Sequence, residues 1–278
     1  MKTALFAAAA ALALMGQAAP PAPAAPAPIK LWRLDCGTVA ANDLNAFSDT
    51  QAYPGKSKLL VGSCYLIKHG ATYLLWDAGL PAAMKGKALD RKIAMDATVT
   101  KTIPEQLAEL GLKPEDITML GISHYHFDHI GQAASFPGAT LFIGKGDFDA
   151  VKAGAPGVNP VPLAPWAKGT SKAEPISGDR DIFHDGSVTM IDTPGHTPGH
   201  HSLLVRLKSR TFLLTGDVAH FQENYDSNGV PAFNTDRAET LASLDRFKAL
   251  AKNLKATVII QHEAADVAKL PAFPKAAE

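Results

Sequence analysis

Three imidazoles and one carboxylate crowd into His124-Tyr125-His126-Phe127-Asp128-His129, directly after the apolar run Ile117-Thr118-Met119-Leu120-Gly121-Ile122. The run reads as a buried strand, so the cluster has to sit at that strand's C-terminal end. Neutral imidazole nitrogens and carboxylate oxygens are metal ligands, and packing alone gives no reason to collect four of them in six positions. By the period-two rule His124 and His126 point to one side, which leaves Asp128 and His129 to reach a second point nearby. That geometry suits two metal ions rather than one.

The rest of the chain repeats the arrangement. Val188-Thr189-Met190-Ile191-Asp192 leads into Thr193-Pro194-Gly195-His196, Leu213-Leu214 leads into Thr215-Gly216-Asp217, and Val258-Ile259-Ile260-Gln261 leads into His262. Each of these strand patterns ends on a candidate ligand. Short β-type runs alternate with helical patterns, the order of a layered α/β architecture. Leu59–Val61, Cys64–Lys68 and Thr72–Trp76 read as three consecutive strands, with Lys68-His69-Gly70 as a turn. Thr102 and Glu105 form a capping box that opens a helix with Ile103, Leu107 and Leu110 on one face, ending at Gly111. Asp236 and Glu239 open another, whose buried stripe is Leu241, Leu244, Phe247, Ala251 and Leu254. Residues 37–56 and 221–233 read as long loops, which in compact domains are usually functional or disordered.

Bulk properties narrow the function. Lys plus Arg and Asp plus Glu both number 27 in 278 residues, so no global field recruits nucleic acid or an anionic membrane. Met1-Lys2 followed by the apolar run Ala4–Met15 has the form of a secretory signal, too short for a permanent membrane span. The expected organisation is a signal peptide over residues 1–18, a Pro/Ala-rich tether over 19–28 and one catalytic domain over 29–278. The expected location is periplasmic or secreted, with no membrane insertion after cleavage. Cys36 and Cys64 are the only cysteines, lie outside the ligand segments, and read as two buried free thiols rather than a disulfide. Nothing in the sequence sets the oligomeric state.

The His-x-His-x-Asp-His cluster, Pro194-Gly195-His196, Gly216-Asp217 and His262 resemble, in order and rough spacing, the metallo-β-lactamase superfamily. The resemblance runs from about Lys30 onward and implies a four-layer αβ/βα sandwich. Carried over residue by residue, it implies that His124, His126 and His196 hold one metal, that Asp128, His129 and His262 hold the other, and that Asp217 bridges them. A hydroxide between the two ions would then be the nucleophile. Zinc is the default ion, although iron, manganese or cobalt accept the same donors.

Within the superfamily Asp217 counts against the antibiotic-hydrolysing branch. Asp35-Cys36-Gly37, Asn42-Asp43-Leu44-Asn45, Phe47-Ser48-Asp49-Thr50, Ser63-Cys64-Tyr65-Leu66-Ile67-Lys68-His69-Gly70 and Trp76-Asp77-Ala78-Gly79-Leu80 resemble the N-acyl homoserine lactone lactonases. The implied reaction is lactone ring opening on a small-molecule substrate. Asp128 would return a proton to the departing alkoxide. His220 stands where many of these lactonases carry Tyr and would donate a hydrogen bond to the substrate carbonyl. Phe47, Phe221 and Tyr225 are the expected walls for the acyl tail, and His200 is expected to support the site rather than bind metal. The alternatives are another exported metallohydrolase acting on an ester, a phosphodiester or a β-lactam, and a metal-loaded binding protein without turnover.

Overall fold

The computed structural model describes residues 28–278, and the expected signal peptide and all but the last residue of the tether lie outside the described residues. The first seven strands are β1 (Ile29–Ala41), β2 (Lys58–His69), β3 (Thr72–Trp76), β4 (Met95–Thr98), β5 (Met119–Ile122), β6 (Thr140–Gly144) and β7 (Ala173–Ile176). They form one sheet in the order β4-β1-β2-β3-β5-β6-β7. The second sheet holds β8 (Arg180–Asp181), β9 (Val188–Asp192), β10 (His201–Arg206), β11 (Thr211–Leu214) and β12 (Thr257–Ile259), in the order β12-β11-β10-β9-β8. Helices α1 (Ile103–Glu109), α2 (Phe127–Ile130), α3 (Lys145–Ala153) and α4 (Ala164–Ala167) precede α5 (Gln222–Ser227), α6 (Arg237–Asn253) and α7 (Ala264–Val267).

The central strands β3, β5, β6 and β11 read as mainly apolar runs because both their faces are buried. Tyr65, Ile67, Leu74 and Trp76 meet Met190, Leu203, Val205, Phe212 and Leu214 of the opposite sheet. The intervening Cys64, Leu66 and Leu75 face Ile103 and Leu107 of α1. On the far side, Ile191, Leu204 and Leu213 pack on Leu244 and Phe247 of α6. The layers are therefore helix, sheet, sheet, helix, the αβ/βα sandwich. Each Leu or Phe buried this way contributes about 1.5–3 kcal/mol.

The capping signals hold. Thr102 N–H donates to Glu105 (2.9 Å) and Glu105 N–H to Thr102 Oγ1 (3.4 Å), while Asp236 accepts from Glu239 N–H (2.8 Å). In α6 the buried stripe includes Leu244, Phe247 and Ala251, with Leu241 and Leu254 half-buried.

Three expectations are corrected. Leu59–Val61 and Cys64–Lys68 are one strand, because Gly62 and Ser63 continue the antiparallel ladder opposite Gly37 and Asp35. Gly37 does not open a loop; it sits at φ 113° in a bulge of β1, and the strand runs on to Ala41. Cys36 and Cys64 form a disulfide, with Cα atoms 5.8 Å apart. Leu34 lies opposite Cys64, and Cys36, two residues on, shares Leu34's face, where the bulge brings it to its partner. Only the pairing of β1 with β2 reveals that juxtaposition.

Candidate metal centre

All the ligand segments leave the C-terminal ends of strands. β5 ends at Ile122, Ser123–His126 turns the chain, and the single turn of α2 swings Asp128 and His129 away from His124 and His126. β9, β11 and β12 deliver His196, Asp217 and His262 to the same place. His124 Nε2, His126 Nδ1 and His196 Nε2 stand 2.9–3.2 Å from one another. Asp217 Oδ2 lies 3.6 Å from His124 and 3.5 Å from His196. The other oxygen of the same carboxylate, Oδ1, lies 3.3 Å from His129 Nε2 and 2.9 Å from His262 Nε2. Asp128 Oδ2 completes the second group at 3.8 Å from both of those rings. Asp217 thus divides its two oxygens between two clusters, as a bridging ligand must.

Four of the five ligand rings, all but His126, are oriented by a bond on the outer nitrogen. His129 Nδ1 donates to Asp77 (2.9 Å), His262 Nδ1 to the Val61 carbonyl (2.9 Å), and His196 Nδ1 to Asn234 Oδ1 (2.7 Å). His124 Nδ1 meets Ser123 Oγ at 3.0 Å, and that hydroxyl donates onward to Asp77. With the outer nitrogen protonated, the inward one is left as a lone pair. His200 bears out its supporting role: its Nδ1 donates to the Thr193 carbonyl and its Nε2 accepts the Asp217 N–H (2.8 Å). Gly216 permits that contact at φ 55°, since a Cβ there would stand 2.5 Å from His200 Nε2.

The donor set fits a pair of cations. Ligands about 2.1 Å from a tetrahedral ion stand roughly 3.4 Å apart, close to the spacing found here. His129 Nε2 and Asp217 Oδ1 are buried and make no hydrogen bond, a costly state that a cation between them relieves. Burial, reinforced by neighbouring imidazoles, holds His124 and His196 well below the usual histidine range, as neutral ligands require. Burial works against a proton on His129 too, but Asp217, Asp77 and Asp128 outweigh it and hold this ring well above that range.

Three supporting residues escaped the sequence reading. Asp77 follows the apolar run of β3, the same pattern that marks the ligands, and that signal was available. Asp147, buried in α3, accepts from Thr197 Oγ1 (2.8 Å), Gly199 N–H (2.6 Å) and Tyr125 N–H (3.2 Å), tying the loop after β5 to the loop after β9. Burial pushes its carboxyl up to about 7 in spite of those three donors. Neither Asp147 nor Asn234 carries a sequence signal.

A cavity of about 260 Å³ opens onto Asp128, Asp217, His126, His220 and His262, and its apolar wall includes Phe47, Leu60 and Met95. Phe127 and Phe233 line it as well. His220 Nε2 lies 3.1 Å from Asp217 Oδ2, and its ring stands edge-on to Phe47. Of the expected wall residues, Phe47 lines the cavity. Phe221 lies behind it as fully buried core, packed on Phe47 and Tyr53, and Tyr225 turns away to pack on Phe247 of α6. Both sit in α5 or at its start, a helix in the segment read as a loop. A larger cavity of about 470 Å³ near Arg33, Lys101 and Phe273 holds none of the ligands.

Two histidine-rich clusters sharing one carboxylate at the mouth of an apolar cavity define a class, the dinuclear metal-dependent hydrolases. The metallo-beta-lactamase superfamily model matches residues 58–262, and the chain belongs to that superfamily. It is 31% identical over 182 residues to the N-acyl homoserine lactonase AttM of Rhizobium radiobacter, covering 61% of this chain and 68% of that one. An N-acyl homoserine lactonase of a Bacillus species is 28% identical over 230 residues, covering 80% of this chain and 89% of the relative. Among solved structures, an N-acyl homoserine lactone hydrolase with the product N-hexanoyl-L-homoserine at its catalytic metal center superposes with a TM-score of 0.77 at 23% identity. That match covers 91% of this chain and all of the other.

Proposed function

We propose that the protein opens the lactone ring of N-acyl homoserine lactones. The observation that carries the reading is the shared Asp217 carboxylate facing an apolar cavity, in a chain whose similar curated relatives bear the name of that activity. Two divalent ions, zinc on our reading, would be held by His124, His126 and His196, by Asp128, His129 and His262, and by Asp217 between them. When bound they supply Lewis acidity and a water that ionises near neutral pH.

The chain's own residues do the rest. Ring opening adds the water oxygen to the carbonyl carbon, breaks the ring C–O bond, and leaves an alcohol and a carboxylic acid, which gives up its proton to solvent at neutral pH. His220 lines the cavity beside the shared carboxylate, with Nε2 3.1 Å from Asp217 Oδ2, and its ring N–H is the donor for the oxygen that gains charge. Asp128, half-buried at the cavity wall, takes the proton released by the attacking water and returns it to the departing alkoxide. The acyl tail leaves past Met95, Phe127 and Phe233, which remain 38%, 37% and 42% exposed and so form an open apolar mouth.

Export is part of the proposal. The charged start and short apolar run of residues 1–18 support it, and a Cys36–Cys64 disulfide is in keeping with an oxidising compartment. Among the described residues no helix is long and apolar enough to cross a membrane. Purified full-length protein should open acyl homoserine lactones when offered beside a β-lactam and a phosphodiester, with zinc measured in parallel. Clear hydrolysis of either of the latter without any ring opening would overturn the substrate. An intact Met1 on protein from its native host would overturn export.

A further inference from the structure

Gln261 has no part in the ligand set, yet its side chain is fully buried behind it. Oε1 accepts the Gly216 N–H at 3.0 Å. Nε2 donates to Asp77 Oδ2 at 2.5 Å and to the Ser63 carbonyl at 3.1 Å. Its own backbone N–H donates to Thr215 Oγ1 (3.1 Å), and its carbonyl accepts from Ser63 Oγ (2.6 Å). The amide cannot be turned over, because the flip would set NH₂ against an N–H donor and oxygen against a carboxylate. One side chain therefore touches the carboxylate that orients His129 and the glycine that precedes Asp217, and its backbone leads directly into His262.

We infer that Gln261 is a positioning residue for the second half-site, setting His129, Asp217 and His262 in mutual register so that they close on one ion. The first half-site is reached only at one remove, through the shared Asp217 and through Ser123 Oγ, which lies between Asp77 and His124 Nδ1; His196 is oriented by Asn234, and its loop is tied down by Asp147. The inference rests on the dinuclear centre and not on the identity of the substrate. A residue that held only the fold together would weaken both ions alike. One that acts through His129, Asp217 and His262 weakens the second more than the first.

The test is Gln261→Asn, whose amide is one methylene shorter and cannot span Gly216 and Asp77 together, in full-length protein loaded with cobalt(II). The ions are withdrawn with a chelator while paramagnetic NMR follows the ring N–H signals. The His196 signal reports the first half-site, and the His129 and His262 signals report the second. The expected result is a loss of affinity of about ten- to a hundredfold at the second half-site, with a smaller loss at the first, which meets the network only at one remove. Equal weakening of both, or no change in a folded variant, would overturn the inference. If Gln261→Asn does not fold, Gln261→Glu keeps the length and the acceptor for Gly216 while setting a second carboxyl against Asp77, and the same selective loss is expected. If neither variant folds, Gln261 is a residue of the fold as a whole and the assignment fails. Because the readout is ion release, a failed lactone assay would leave the inference standing.

Discussion

In the half-site of His124, His126 and His196, the orienting partners are neutral side chains, Ser123 and Asn234, and the ligands come from two loops clasped by Asp147. In the half-site of His129 and His262, they are a buried carboxylate at the end of β3 and a carbonyl of β2, so those rings are anchored in the first sheet itself. The second half-site also carries more negative charge, with Asp128 beside the ion and Asp77 behind His129. Two ions sharing Asp217 are therefore held in different ways. The first depends on two loops staying in register, and the second on a charge network that runs from the sheet to the metal.

The strongest way to break the comparison is to remove what the halves share. Asp217→Asn should lose at least one ion, and turnover should fall by more than the roughly hundredfold typical of an outer-shell loss; metal analysis beside kinetics checks this. Two ions and parental rates in that variant would mean that the halves stand independently. His220→Phe should retain both ions and lower kcat by about ten- to a thousandfold, the scale of one lost oxyanion donor. An unchanged kcat in metal-replete protein would remove His220 from the chemistry.

Paired variants sharpen the contrast. Asp147→Asn should weaken the first ion by about ten- to a hundredfold and spare the second, whereas Asp77→Asn, which touches His129 directly and His124 only through Ser123, should weaken the second more than the first. Matching losses in competition titrations would show one indivisible site.

The disulfide belongs to the second half. The Cys36 carbonyl accepts the Leu80 N–H (3.1 Å), and a Cβ on Gly79 would stand 2.7 Å from Cys36 Cβ, so the bridge backs the loop that carries Asp77. The bridge joins cysteines 28 positions apart in sequence. A loop of that order is worth about 3.5 kcal/mol, so the double Cys→Ala variant should melt about 10 °C lower. Unchanged melting of the variant by calorimetry would show that the bridge carries no stability.

The smallest expected effect is on pH dependence. Burial lowers His200 to about 3 from an ordinary 6.5, and its neutral ring accepts the Asp217 N–H. Between those values the unfolded chain binds a proton that the folded chain refuses. The stability tied to this group is thus complete above about pH 6.5 and lost as pH falls toward 3. In chelated protein His200→Gln should flatten that decline, and urea midpoints with the parent's slope would contradict the assignment.

What the sequence determined by itself was local. His124, His126, Asp128, His129, His196, Asp217 and His262 were all legible because each follows an apolar run, and a ligand at a strand end leaves its mark in neighbouring positions. The capping box at Thr102 and the start of α6 were legible for the same reason. Tertiary structure decided what depends on which strands pair and which loops meet. Cys36 reaches Cys64 through the register of β1 against β2, with a bulge at Gly37 that the sequence presents only as a glycine. Asn234 meets His196 across 38 positions and Gln261 meets Asp77 across 184. Phe221 and Tyr225, aromatic and near the bridging ligand, turned into core because α5 rotates them away from the cavity. The ligands follow from chain order and periodicity, whereas the groups that orient them are brought together only when the two sheets pack.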